Sequence, residues 1–330
     1  MLNFCTLFDS NYSAKGLVMH TSLLRYCSEF HLYIFAFDDI IYDVLSGMNL
    51  KNVTVIPLVR FEDERLLQIK ETRSKAEYCW TSTPSTILYC IQQFNLDHCT
   101  YIDADLCFFS DPRVLFDEMG DKDVLITSHR YTPEFNISLV AGKYCVQFMT
   151  FKNTENGIKV LNWWRDACID WCYARVEDGK FGDQKYLDDW TTQFVGIHEL
   201  EHLGGGVAPW NMQQYSFDRH GETIVGTELV SNKKFELVFF HFHAMLAFKK
   251  YFFREFYFQA YPLAATTRKI VYLPYVSELK KKYHELKSLD SRVDGIATKI
   301  LDISWWKYAK VIRKRCLNKE NKYSYWIDLR

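Results

Sequence analysis

The chain has 330 residues, enough for one large α/β domain or two smaller ones with a sizeable buried core. With 48% of residues hydrophobic and 17% aromatic it is no disordered chain, and Lys plus Arg (40) against Asp plus Glu (41) leaves no surplus to attract nucleic acid. Ten cysteines in a chain whose start lacks a signal-like apolar core read as reduced core thiols, and no run reaches the about 18 apolar residues of a membrane span, so the expected place is the cytoplasm.

Leu2 to Phe8 is an apolar run ended by Asp9-Ser10-Asn11-Tyr12, and Lys15 to Glu29 then carries helical spacing. His31 to Phe37 predicts a second strand, stopped by Asp38-Asp39, and Val53 to Pro57 a third after an intervening helix. Strands alternating with helices imply a mostly parallel sheet whose ligands bind at the carboxyl ends of the strands. Phe61 to Lys70 and Ala76 to Phe94 predict helices. Arg73-Ser74-Lys75 between them is a basic corner that fits either a solvated helix start or a phosphate contact.

The most informative stretch is Thr100 to Phe109, where Asp103 and Asp105 interrupt an apolar run. Strand periodicity points both carboxylates to one side, where their repulsion is relieved by a hard cation between them. The same spacing also fits a turn in which Asp105 only caps the chain leaving the sheet.

Val124 to Thr127 and Cys145 to Phe151 predict further strands, and Ile158 to Tyr173 a helix whose tryptophans read as core. Cys168 and Cys172 share one face of that helix; with no second pair they fit packing better than zinc. In Gly179 to Trp190, Asp183 is either a helix N-cap or, with Gln184, a holder of sugar hydroxyls. Gly204-Gly205-Gly206 permits close backbone approach to a ligand, but neither a P-loop nor a G-x-G-x-x-G motif is present. Leu237 to Met245 predicts a strand carrying His241 and His243 on one side. These histidines are either satisfied within the core or one of them completes the metal sphere. Beyond Ala244 the composition becomes aromatic and basic. Trp305-Trp306-Lys307-Tyr308 with Lys310, Arg313, Lys314 and Arg315 fits an anionic lipid surface or an ordinary packed helix.

Together FDSNY at Phe8 to Tyr12, YIDADLCFFSDP at Tyr101 to Pro112, GDQKYLDDW at Gly182 to Trp190, GGGVAPWN at Gly204 to Asn211 and HFHA at His241 to Ala244 resemble the GT-A type glycosyltransferases. Within that class they are most similar to the retaining family of glycogenin and the bacterial lipooligosaccharide galactosyltransferases. The resemblance implies an α/β fold, a mixed, mostly parallel sheet flanked by helices. A catalytic domain would cover residues 1–265 and a C-terminal helical, basic and aromatic extension residues 266–330. It implies that Asp103, Asp105 and His241 bind Mn²⁺ or Mg²⁺ and, through it, the diphosphate of a nucleotide-sugar, a UDP-sugar above all. By the same resemblance Asp9, Asn11 and Tyr12 contact the nucleoside and Asp183 and Gln184 stand beside the transferred sugar; Phe8, Arg73, Ala104, Gly205, Asn211 and Lys249 are further candidate donor contacts, and Asp183, Asp188 and Asp189 are candidate carboxylates for the acceptor hydroxyl. Two departures stand out: Cys145-Val146-Gln147 replaces the usual Asn-x-Gly, losing an amide that contacts sugar, and the usual Lys-Pro-Trp after the histidine is missing.

The expected function is therefore metal-dependent, hexosyltransferase-like transfer, with retention, from a nucleotide-diphosphate donor to a glycan or lipid-linked saccharide. The setting would be bacterial lipopolysaccharide or capsule assembly, with peripheral attachment at the inner face of the cell membrane. In this chemistry the cation stabilises the departing diphosphate, and the Gly204 to Asn211 loop is expected to act as a moving cover that excludes water. The alternatives are a metal-dependent nucleotidyltransferase or phosphodiester hydrolase, and a catalytically silent sugar-binding module.

Overall fold

The computed structural model describes residues 1–243, 245–250, 253–257, 261–296, 298–300 and 326–328. Ala244, the side chains of Lys249 and Lys250, and the basic aromatic stretch 305–315 lie outside the described residues.

Seven strands form the central sheet: β1 (Leu2–Phe8), β2 (Phe30–Ala36), β3 (Val53–Pro57), β4 (His98–Ile102), β6 (Val124–Ser128), β7 (Tyr144–Lys152) and β8 (Ile197–Glu199), with β5 (Leu106–Phe108) lying outside it. Their order is β3-β2-β1-β4-β7-β6-β8. Pairing is parallel from β3 through β4; β7 runs antiparallel to both β4 and β6, and β8 is parallel to β6. The α/β expectation therefore holds. β1 is buried along its whole length, which is why it reads as a mostly apolar run rather than an alternation.

Period-two geometry divides the core between the two faces. Phe4, Ile34 and Phe148 pack in one cluster with Leu17 and Tyr275, whereas Cys5, Phe35 and Phe151 pack in the other with Ile87, Trp164 and Trp190. The helix Lys75–Gln93 starts with a full capping box, Ser74 with Glu77, so the basic corner is a well-formed helix entry. The helix Leu273–Leu289 follows a π-helical turn and puts Tyr275 flat against Phe242, ring centroids 3.6 Å apart. Among the described residues no helix is long and apolar enough to cross a membrane.

A three-stranded antiparallel sheet was not foreseen: β9 (Tyr215–His220), β10 (Thr223–Glu228) and β11 (Lys234–Glu236). The predicted strand from Leu237 to Met245 is shorter than expected. It is β12 (Phe239–His241), and His243 lies in the turn beyond it. Likewise the run around Asp103 and Asp105 is two strands, β4 and β5, joined by a tight turn in which the Leu106 N–H donates to the Asp103 carbonyl at 3.2 Å.

Asp38 ties the strand ends together: one carboxylate oxygen caps the helix Asp39–Gly47 by accepting from the Ile41 N–H (2.8 Å), and the other accepts from the Ser10 N–H (2.8 Å) after β1. Replacing Asp38 by Ala removes a cap and an anchor of the β1 turn, and should lower stability by about 1–2 kcal/mol in urea unfolding. An unchanged midpoint would contradict that role.

Candidate functional site

The carboxyl ends of β1 and β4 lie side by side because those strands are parallel neighbours, so Asp9 and Asp103 leave the sheet at one edge. The turn after β4 carries Asp103 and Asp105. β12 pairs antiparallel with β5 in the register His241 to Leu106, and the Phe242 N–H donates to the Asp105 carbonyl at 2.9 Å. This pairing carries a distant imidazole to the two carboxylates. His241 Nε2 is 3.0 Å from Asp105 Oδ1 and 3.6 Å from Asp103 Oδ2. One donor atom from each of the three residues lies within 4.8 Å of the others.

The rest of the environment fixes these groups. His241 Nδ1 donates to the Gln147 Oε1 carbonyl at 2.7 Å, which leaves Nε2 facing the carboxylates. Tyr101 donates its hydroxyl to Asp103 Oδ1 at 3.0 Å, and the Asp103 N–H donates to the Gln147 backbone carbonyl at 3.0 Å. Lys15, itself buried, places Nζ 3.4 Å from Asp105 Oδ2. Burial works against an ionised Asp105, but the His241 and Lys15 charges outweigh it and hold its pKa far below the carboxylate range. Burial also raises the Asp103 pKa, with the neighbouring Asp105 adding to the rise and His241 opposing it. For His241, burial disfavours the charged ring and the two aspartates overcome it, so its pKa rises. Two carboxylate oxygens and an imidazole nitrogen, oriented by a carboxamide behind, are a donor set that suits a divalent cation such as Mn²⁺ or Mg²⁺.

Two clefts meet at this cluster. One, about 420 Å³, is lined by Phe8, Asp9, Asn11, Tyr12, Lys75 and Ala104; the other, about 370 Å³, by Tyr131, Cys145, Asp183, Gln184 and Trp210. Trp80, Tyr101, Asp103, His241 and His243 border both. In the first, Asp9 is held by Asn11, whose backbone N–H and side-chain amide donate to its two carboxylate oxygens at 3.0 Å each. In the second, Asp183 does not cap a helix; its side chain is buried, and burial with the charge of Asp103 pushes its pKa up to about 8. Gln184 donates its side-chain amide to the Ala141 carbonyl at 2.7 Å.

Several expected site residues stand elsewhere. The Arg73 guanidinium lies 3.9 Å from the centre of the Tyr173 ring, donates to the Tyr173 hydroxyl and the Ile169 carbonyl, and borders neither cleft. Asp189 is exposed and also borders neither. A side chain on Gly205 would meet Leu200 and Leu115, so this glycine answers close apolar packing rather than a ligand. Asn211 is fully buried and donates to the His129 and Gly206 carbonyls at 2.8 and 2.9 Å. The Gly204 to Asn211 segment is therefore no moving cover: it is buried throughout, and its Gly204 and Val207 carbonyls accept from Val238, Phe239 and His241 N–H groups. Lys15 and Gln147 are the residues that the sequence reading missed. The Cys145-Val146-Gln147 departure counted as the loss of a sugar-contacting amide, whereas the Gln147 carboxamide serves the imidazole.

Replacing Gln147 by Met should weaken Mn²⁺ binding about ten- to a hundredfold in calorimetry, while Gln147→Glu, which keeps an acceptor, should retain more of it. Equal affinity for all three proteins would contradict the orienting role. Asp183 makes a second prediction. Its neutral form contributes stability that is complete below the ordinary carboxyl value of 3.8 and lost as pH rises through about 8. Metal-free protein should thus lose up to about 1.4 kcal/mol per pH unit in that window from this group, and Asp183→Asn should flatten the profile. Parallel pH profiles of the two proteins would contradict it.

No family model matches the chain. The protein named "Uncharacterized protein YfnD" of Bacillus subtilis (strain 168) is 30% identical over 291 residues, 87% of this chain and 91% of that protein. YfnF of the same organism is 28% identical over 310 residues, 90% and 97% of the two chains. Among solved structures, the galactosyltransferase LgtC in complex with donor and acceptor sugar analogs is similar over 85% of this chain and 96% of its own, at 13% identity and a TM-score of 0.48. Mouse xyloside xylosyltransferase 1 is similar over 74% and 98%, at 13% identity and a TM-score of 0.45.

Proposed function

We propose, for a chain that belongs to the family of Bacillus subtilis YfnD, that it is a metal-dependent glycosyltransferase of the GT-A type acting on a nucleotide-sugar. The observation that carries this reading is the convergence of Asp103, Asp105 and His241 donor atoms within 4.8 Å at the meeting point of two clefts. A diphosphate lying across that point would have its nucleoside on the Phe8 to Tyr12 wall and its sugar toward Asp183 and Gln184. UDP is the favoured nucleotide, as the resemblance of FDSNY implies.

Glycosyl transfer makes the anomeric carbon cationic as negative charge develops on the diphosphate. A divalent ion supplies Lewis acidity to the leaving group when bound. Asp103, Asp105 and His241 would hold it, with Gln147 accepting from His241 Nδ1 so that Nε2 is free to face the ion, and Trp80 and Trp210 offer apolar faces that would exclude water and pack against sugar. Retention is favoured by what the carboxylates near the second cleft do. Burial and the neighbouring charge of Asp103 push the Asp183 pKa up to about 8 in the metal-free site, which disfavours its carboxylate form. Asp188 is occupied by Lys185 Nζ at 2.7 Å and the Lys143 N–H at 2.6 Å, and Asp189 is outside the cleft. No described carboxylate there is a ready base, so the departing diphosphate is the group left to take the acceptor proton.

The acceptor is a glycan or lipid-linked saccharide of the bacterial surface. Ile137 and Val140 make one rim of the second cleft apolar, which suits an acceptor with an apolar part. Attachment to an anionic membrane surface rests on the basic aromatic sequence after Trp305.

Calorimetry with UDP and Mn²⁺ tests the reading: wild type should bind UDP with Mn²⁺ present, and Asp105→Ala should lose that binding. Metal-independent UDP binding that survives the substitution would contradict it. UDP-sugars that raise the melting temperature identify the donor, and UDP release that requires an added glycan separates transfer from hydrolysis.

A further inference from the structure

Lys15 sits on the first turn of the helix Ser13–Tyr26, directly after the Asp9 to Tyr12 wall of the first cleft. Its side chain is 3% exposed, Nζ lies 3.4 Å from Asp105 Oδ2, and the ammonium sits 4.3 Å from the centre of the Tyr12 ring. Both oxygens of Asp105 are thereby taken, one by Lys15 and the other by His241 Nε2 at 3.0 Å. A buried ammonium persists only with a partner, and no other ion pair of Lys15 is formed among the described residues.

Resting on the glycosyltransferase reading above, we propose that Lys15 is a positioning residue, an internal counter-cation that makes divalent-metal binding depend on the nucleotide diphosphate. Once His241 gives up its Nε2 proton to ligate the ion, two carboxylates and one ammonium leave a single net negative charge around it. That is little attraction for a bare divalent ion, which must also approach Asp105 against a fixed positive charge on the same carboxylate. A nucleoside diphosphate brings the missing negative charge, so ion and nucleotide bind together and the ion is weakly held once the nucleotide has left. By linkage, each tightens the other by the same factor.

The burial of Lys15 also accounts for its geometry. The ammonium is buried and borders neither cleft, so it acts through Asp105 and not on the donor itself. Before any ion arrives, it also offsets the repulsion between Asp103 and Asp105, which keeps the two carboxylates together without a metal.

The test measures Mn²⁺ affinity by the electron paramagnetic resonance signal of the free ion, with and without UDP, for wild type, Lys15→Met and Lys15→Arg. Wild type should bind Mn²⁺ at least about tenfold more tightly with UDP than without it. Lys15→Met should tighten Mn²⁺ binding without UDP about tenfold or more and shrink the UDP effect, and Lys15→Arg should stay near wild type. A folded Lys15→Met that binds Mn²⁺ no better than wild type overturns the proposal. Should Lys15→Met fail to fold, the wild-type comparison decides: Mn²⁺ affinity indifferent to UDP overturns the proposal by itself. Failure of wild type to bind Mn²⁺ under either condition is a different outcome, and it removes the metal-dependent reading of the site as well.

Discussion

The site depends on one short antiparallel pairing, β12 against β5. Asp103 and Asp105 sit in a turn just outside the central sheet, where like charges in a partly buried place repel. The three-residue pairing of Phe239–His241 with Leu106–Phe108 carries an imidazole against them. Apolar burial holds that pairing. Phe239 stacks on Phe148 of β7 with centroids 5.4 Å apart, and Phe240 and Phe242 pack against Tyr272. The polar cluster is thus rigid because its flanking residues belong to the core. Loss of that packing would free His241 before it touched the aspartates.

Around this pairing each neighbour serves the electrostatics. Gln147, on the strand next to β4, contributes its backbone carbonyl to Asp103 and its side-chain carbonyl to His241, so one residue orients two of the three candidate ligands. The buried glycine segment is the back wall. Gly206 has φ +95°, and a Cβ there would lie 2.8 Å from both Arg130 Nη2 and Thr127 Cγ2 and 3.2 Å from Gln147 Nε2, so glycine is required where the wall packs against these side chains. The glycines therefore matter to the site through its packing, without forming a cover over it.

Much of this was readable from the sequence wherever a short-range rule applies. β1, β2 and β3 were announced by mostly apolar runs with polar stops, and Val53 to Pro57 was located to the residue. The Asp103 and Asp105 pair was visible because two acids in an apolar run are costly without a purpose. Their sharing of one side had the right outcome for another reason: a turn, not strand alternation, brings them together. Arg73, Asp189, Gly205 and Asn211 looked like ligand contacts because residue type and motif say nothing about which way a side chain faces. The structure spends Arg73 on Tyr173 and Asn211 on two carbonyls. Lys15 was hidden because a lysine early in a helix ordinarily reaches solvent, and its partner lies ninety residues on. The β9 to β11 sheet left a weaker trace, Tyr215 and Phe217 in alternation before the Gly221 turn.

Anomalous diffraction from crystals grown with Mn²⁺ and UDP tests the central claim most directly. A single strong manganese peak within about 2.5 Å of an Asp103 oxygen, an Asp105 oxygen and His241 Nε2, with the diphosphate on its open side, is the predicted result. A peak elsewhere, or UDP bound in the first cleft with no manganese between it and these three side chains, would contradict the account.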